Sequence, residues 1–162
     1  MRPITYLIGD ATKPHGCGRP MIIHVSNSVG GWGRGFVLAL SKVDPTPEWL
    51  FRQCWSRKRN HQLGDVQFGA FIPESEPSRR YWFANMVAQE GVGQKNGPPI
   101  RYQALETCLE KVAAACKRLE NVEVHAPRFG CGLAGGDWQG VEPLIIKTLC
   151  NRDIPVYIYD LG

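Results

Sequence analysis

The sequence lacks the features that mark several classes of protein. No apolar run approaches the roughly 18–20 residues that a membrane-spanning helix needs. Residues 1–10 hold too short an apolar core for a secretory signal and read instead as a first strand. A soluble, cytoplasmic protein with no membrane partner is therefore expected. Charge is also nearly balanced. A net charge of +4 over 162 residues favours anionic partners but does not by itself imply nucleic acid. None of the six cysteines, Cys17, Cys54, Cys108, Cys116, Cys131 and Cys150, belongs to a CxxC pair. Cys108 and Cys116 fall within one predicted helix. A disulfide framework and a structural zinc site are both argued against, and reduced thiols are expected. There is no linker, repeat or low-complexity tract. At a soft prior of about 150 residues per domain, residues 1–162 are expected to form one domain.

What is present describes an ordered α/β chain. Apolar residues make up 43% and charged residues 21%, which excludes disorder. Strands are predicted over residues 4–8, 20–26, 66–72, 81–88, 122–126 and 155–159. The run Met21-Ile22-Ile23-His24-Val25 is almost continuously apolar, as in a strand buried on both faces. Helices are predicted from Phe36, from Thr46 (as N-cap with Pro47 behind it), across residues 102–119, and from Asp137 as N-cap. In the third, Tyr102, Leu105, Leu109, Val112, Cys116 and Leu119 share one face at spacings of 3, 4, 3, 4 and 3. Roughly six strands alternating with four helices predict a three-layer α/β domain with a mostly parallel sheet. Ligands of such sheets lie beyond the carboxyl ends of the strands.

Two strand–glycine–helix units occur in this small chain. The first holds Gly30-Gly31-Trp32-Gly33-Arg34-Gly35, the second Gly130-Cys131-Gly132-Leu133-Ala134-Gly135-Gly136. Such loops present backbone N–H groups at a helix start, where the helix dipole adds partial positive charge. Glycine lets a phosphate approach without meeting a Cβ. One loop suits one phosphate, and two on one sheet edge suit a diphosphate. The first loop lacks the ribose-binding acid of a dinucleotide fold and the Gly-Lys-Ser/Thr of a P-loop.

With these loops the chain resembles the macrodomain family over nearly its whole length. The resemblance rests on Gly9-Asp10-Ala11, on Ile22-Ile23-His24-Val25-Ser26-Asn27, on residues 127–138 (PRFGCGLAGGDW) and on the ending Val156-Tyr157-Ile158-Tyr159-Asp160-Leu161. The Gly-Cys-Gly-Leu loop and the ending resemble the branch with terminal ADP-ribose–protein glycohydrolases, yeast-type ADP-ribose 1''-phosphate phosphatases and DNA-deribosylating antitoxins. The resemblance implies an α/β/α fold with a mixed sheet and a site for ADP-ribose. In it, Asp10 would accept from the adenine amine and Ala11 would offer its N–H to the ring. Asn27 would meet the distal ribose. Gly33, Arg34 and Gly35 would line the diphosphate on one side. Phe129, Gly130, Cys131, Gly132, Leu133, Ala134 and Gly135 would line the other, with Tyr159 and Leu161 beside the adenosine.

The sequence also departs from that branch. Its glycohydrolases carry a lysine where Gln89 or a neighbour stands, and an aspartate where Ala134 stands. Gln89 cannot form a Schiff base and Ala134 cannot move a proton, so lysine-type glycohydrolysis is argued against. Lys95 falls in a Gly/Asn/Pro loop. His24 matches the histidine of the yeast-type phosphatases and is read either as a catalytic base or acid with Asn27, or as a strand-end residue held by a backbone partner. Asp137 is read as an N-cap or as a water-orienting acid, and Trp32 as a lid or as core. The glycine nest is expected to lower the Cys131 pKa, although close packing is its simpler role. Arg57-Lys58-Arg59 and Arg79-Arg80, with Trp55, Tyr81 and Trp82, are read as a solvated loop with core aromatics or as a nucleic-acid patch. His15 and Cys17 do not make a metal site.

The expected protein is a monomer that needs no cofactor or metal. Its partner is ADP-ribose or an ADP-ribosylated protein or nucleic acid. It either hydrolyses an ADP-ribose derivative at the distal ribose or reads ADP-ribose without turnover. A Rossmann-like oxidoreductase is the remaining alternative.

Overall fold

The computed structural model describes residues 1–58, 61–91, 99–131 and 135–162. In chain order the elements are β1 (Thr5–Ile8), β2 (Arg19–Asn27), α1 (Phe36–Val43), α2 (Thr46–Lys58), β3 (Val66–Phe71), β4 (Tyr81–Gln89), α3 (Tyr102–Leu119), β5 (Val122–Pro127), α4 (Trp138–Thr148) and β6 (Val156–Asp160). A 3-10 turn at Cys150–Arg152 precedes β6. The strands form one sheet in the order β1-β6-β5-β2-β4-β3. All neighbours pair parallel except β3, which joins β4 as an antiparallel hairpin. This is the mixed, mostly parallel α/β/α architecture expected from the sequence.

Alternation along the strands sends side chains to two unlike faces. On one face Met21, Ile23, Ala84, Met86, Val122, Val124, Ala126, Val156 and Ile158 meet α3 and α4. Helix α3 buries Leu105, Leu109, Val112 and Cys116 of the predicted stripe there, with Cys108 beside them and Leu119 half-buried. Tyr102, at the start of that stripe, stays partly exposed. On the other face Ile22, Tyr81 and Phe83 meet Trp32, Val37, Leu40 and Phe51 of the first glycine loop, α1 and α2. Each fully buried aliphatic or aromatic side chain contributes about 1.5–3 kcal/mol.

The helix starts follow local chemistry, with one correction. Asp137 caps α4 as expected, its carboxylate accepting from the N–H of Gln139 at 3.0 Å. Thr46 does not cap α2. The helix already includes Thr46, and Asp44 Oδ1 accepts from both its N–H and its hydroxyl. A carboxylate takes two donors where a threonine hydroxyl offers one oxygen, so the acid two residues earlier becomes the cap.

Five strands run the same way, so their carboxyl ends share one rim. Gly9-Asp10-Ala11 follows β1, Asn27 ends β2, Gln89 ends β4, Arg128 follows β5 and Leu161 follows β6. The topology thus collects most of the sequence-predicted site residues at one edge.

Candidate functional site

The first glycine loop is built by Asn27. Its Nδ2 donates to Gly31 O at 2.7 Å, and its Oδ1 accepts from the N–H groups of Val29 (3.1 Å) and Gly31 (2.9 Å). One Nδ2 hydrogen is left to face a ligand. Gly30 takes a positive φ of 81° and a Cβ there would sit 2.9 Å from the Trp55 ring. Gly35 precedes α1 with no side-chain cap, and its carbonyl takes the Leu38 N–H at 3.1 Å, so the Phe36 and Val37 N–H groups have no partner among the described residues.

The second loop turns back on itself. Gly136 N–H donates to Gly130 O at 2.8 Å, and a Cβ at Gly136 would lie 2.3 Å from that oxygen. Only glycine permits so close an approach. Tyr102 braces the loop from α3, its hydroxyl accepting from Asp137 N–H at 2.9 Å. Gly132, Leu133 and Ala134 lie outside the described residues.

The two loops face each other across a cleft of about 690 Å³. Residues 31–37 form one wall and residues 127–130 the other, with His24, Asn27 and Gln89 between them. Gly33, Arg34, Gly35, Phe129 and Gly130, which the sequence reading assigns to a diphosphate, all line this cleft. Arg128 lies in the same wall, clamped bidentately on Asp160 at 2.6 and 3.0 Å and lying over the rings of Tyr6 and Trp138. Gln89 uses its amide on Gly91 O. Lys95 lies outside the described residues.

His24 is buried, its Nε2 meeting the Asn85 side chain, with the Val25 backbone also acting on the ring. Nε2 lies 2.6 Å from Asn85 Oδ1, and Asn85 Nδ2 donates to Pro47 O at 3.1 Å. Pro47 O accepts only, so the amide orientation is fixed and Nε2 must carry the proton. Nδ1 is then a bare acceptor with no hydrogen-bond partner. Burial pushes the imidazole down to about 4, with the Asn85 contact opposing. His24 is thus neutral at physiological pH. Asn85 was not expected from the sequence. Its only signal is a lone amide inside the apolar run of β4.

Trp32 resolves both ways. Its ring packs on Phe51 at 5.1 Å and edge-on to His24 at 5.4 Å, its N–H donates to Ser41, and it also lines the cleft. The Cys131 thiol departs from expectation, since burial and then Asp137 push it above the ordinary range. Asp137 is the α4 cap.

The adenosine set lies along the rim from the cleft. Asp10 Oδ1 accepts from Thr12 N–H (2.8 Å) and Thr12 Oγ1 (2.7 Å). Its other oxygen accepts from none of the described residues. Ala11 is buried, Leu161 is exposed, and the Tyr159 hydroxyl accepts from His15 N–H at 2.9 Å. None of these four lines the cleft itself. The basic cluster also separates. Tyr81 is buried, Arg79 is almost covered, and Trp82 carries Arg19 over its ring, so they form no open nucleic-acid patch. The side chains of Arg57, Lys58 and Arg59 lie outside the described residues. Among the described residues no group of three or more His, Cys, Asp and Glu could hold a metal, and no helix is long and apolar enough to cross a membrane.

A three-layer α/β/α domain with two glycine loops facing across the carboxyl rim defines a class of ligand-binding fold. Comparison with known proteins then gives the family. No family model matches the chain. A macrodomain protein from Streptomyces coelicolor is 46% identical, with a TM-score of 0.80 over 98% of this chain and 99% of that one. The mouse chromodomain-helicase-DNA-binding protein 1-like is 34% identical over 158 residues, 96% of this chain but 17% of that protein. The chain thus spans about a sixth of the length of that curated relative. Thermosipho africanus DarTG in complex with ADP-ribose shares the fold at 21% identity and a TM-score of 0.75, over 98% of this chain and 42% of that one. The chain belongs to the macrodomain family.

Proposed function

We propose that the cleft binds ADP-ribose, either free or attached to a protein or nucleic acid. The observation that carries this reading is the convergence of the two glycine loops on one cleft at the sheet rim. Loops at residues 31–35 and 130–135 hold the diphosphate through backbone N–H groups, aided by the α1 dipole. The free hydrogen of Asn27 Nδ2 points the distal ribose. Asp10, Ala11, Tyr159 and Leu161 take the adenosine, and a carboxylate that only accepts selects the adenine amine over a carbonyl. The Thermosipho protein, described with ADP-ribose bound, supports this choice of ligand at the level of fold.

The finer proposal is hydrolysis at the distal ribose of an ADP-ribose derivative, such as a 1''-phosphate or an acyl ester. Water is the nucleophile, and the loop N–H groups stabilise the charge that develops. The bare Nδ1 of His24 is the acceptor this chain offers in the wall. A second reading, a reader that does not turn over, has its own observation. Among the described lining residues there is no lysine and no carboxylate, and His24 is buried and weakly basic.

Calorimetry tests the binding. ADP-ribose is expected to bind and NAD to bind negligibly, and equal binding of both would overturn the assignment. Incubation with ADP-ribose 1''-phosphate, acetylated ADP-ribose, an ADP-ribosyl-glutamate peptide and ADP-ribosylated DNA separates the two uses. Product from one of them establishes hydrolysis, and ADP-ribose binding with no product establishes the reader.

A further inference from the structure

Beyond the cleft, the segment at residues 9–18 that carries Asp10 and Ala11 lies against β5 and β6, with His15 over Tyr159 and Gly18 beside Glu123. The segment is tied down by two groups from distant places in the chain. Arg79, from the β3–β4 turn, donates from Nε to Gly18 O at 3.0 Å and from Nη1 to Pro14 O at 3.5 Å. Its side chain is only 11% exposed. Glu76 pairs with it at 3.3 Å, and Tyr81, whose ring lies 5.4 Å away, donates to Glu76 at 2.6 Å. Tyr159 holds the middle. Its hydroxyl accepts from His15 N–H and, having its own proton to give, donates to His125 Nδ1 at 2.7 Å. His125 is fully buried and stacks on Tyr157 at 4.8 Å, so Tyr159 is held from beneath. His15 closes the arrangement, since its ring would lie 3.3 Å from a Cβ at Gly9.

We propose that Arg79 and the Tyr159–His125 pair are positioning residues that fix the residue 9–18 strap, and thereby set the preference for an adenine ring. The inference rests on the ADP-ribose reading for the ligand. A guanidinium is suited to this work because its rigid fork reaches two carbonyls at once. Both carbonyls belong to the strap, one at Pro14 and one at Gly18, so Arg79 pins its far half. Tyr159 pins the centre at His15. What remains free is Asp10, held internally by Thr12 and presenting one carboxylate oxygen outward. Without the two pins, that oxygen loses its fixed distance from the loops that hold the diphosphate.

The test compares the wild-type protein with Arg79→Ala, Arg79→Lys and Tyr159→Phe. Hydrogen exchange of the strap amides is measured without ligand. Affinity is then measured for ADP-ribose and for its inosine counterpart, which carries a carbonyl in place of the amine. The strap amides are expected to exchange faster in Arg79→Ala and Tyr159→Phe. ADP-ribose affinity is expected to fall about tenfold in each, with the preference over the inosine compound narrowing by a similar factor. Arg79→Lys, which keeps charge but not the fork, recovers part of both. Unchanged exchange and preference in folded Arg79→Ala, beside an intact wild-type preference, overturn the strap proposal alone. If Arg79→Ala fails to fold, Tyr159→Phe decides by the same two readings. A wild-type protein that does not distinguish the two nucleotides overturns the adenine reading and the proposal with it.

Discussion

The two faces of the sheet are built differently. The face under α3 and α4 is mostly apolar, and burial pushes two of its cysteines, Cys108 and Cys116, up to about 12. Thiols held there are inert. The opposite face mixes aromatics with His24, Asn85, His125 and Tyr159, and both histidines keep one buried nitrogen with no hydrogen-bond partner. One face supplies stability through packing. The other gives up packing to place polar groups beneath the rim and the strap. The comparison teaches that the ligand-facing layer is the less satisfied one, as expected where function competes with stability.

Four changes would break or sharpen that contrast. The largest effect is expected from Leu109→Ala on the apolar face. Removing this fully buried side chain should cost about 2–5 kcal/mol in denaturant unfolding, with ADP-ribose affinity retained by the folded fraction. A cost under about 1 kcal/mol would mean that this face is not the main source of stability.

Acid should act on the other face. Burial pushes His24 down to about 4 and His125 to about 3, the latter also lowered by Arg79 and His15. Both folded values lie below the ordinary 6.5, so above that value both states are neutral and the full stability is present. As pH falls below it, the unfolded chain takes up protons that the folded chain refuses. Stability should drop by about 2 kcal/mol per histidine between about pH 7 and about pH 5. Unfolding measured across this window in the wild type and in His125→Phe checks the sign and His125's share of the slope.

Asn85→Leu is expected to cost about 1–3 kcal/mol, because it strands the His24 Nε2–H and Pro47 O in the interior. Pairing it with His24→Phe should recover part of the loss, since removing both partners costs less than orphaning one. A double-mutant cycle by thermal unfolding reads this directly, and strict additivity would dissolve the pair. The smallest effect on stability belongs to Asp10→Asn. The substitution keeps an oxygen for Thr12 but turns an acceptor into a donor toward the ring. Calorimetry should show ADP-ribose binding weakened by about 1–3 kcal/mol, with the melting temperature nearly unchanged.

Much of this was legible in the sequence, for local reasons. The apolar run of β2, the stripe on α3 and the glycine clusters each encode their structure within a few residues, and the sheet type followed from their alternation. Glycine at 130 and 136 marked a loop that folds tightly on itself. What stayed hidden depends on partners distant in sequence. His24 meets Asn85 because β2 and β4 are neighbours in a sheet whose order is not the chain order. Arg79 looked like one member of a charged run, yet the fold turns it onto Pro14 and Gly18. Asp44 displaced Thr46 as a cap through its second lone-pair site, which spacing alone does not rank. Asn27 was expected to face a ligand, whereas most of its hydrogen-bonding capacity goes into shaping its own loop.

The pairing of β1 with β6 has a consequence for how the protein is made. β1 is made well before β6, its parallel partner, which it joins through contacts such as Gly9 N–H to Asp160 O. A parallel pairing across nearly the whole chain gives no reward until translation has passed residue 160. The β3–β4 hairpin, by contrast, closes as soon as its turn emerges. The nascent chain therefore holds the β1 edge open until β6 has been made.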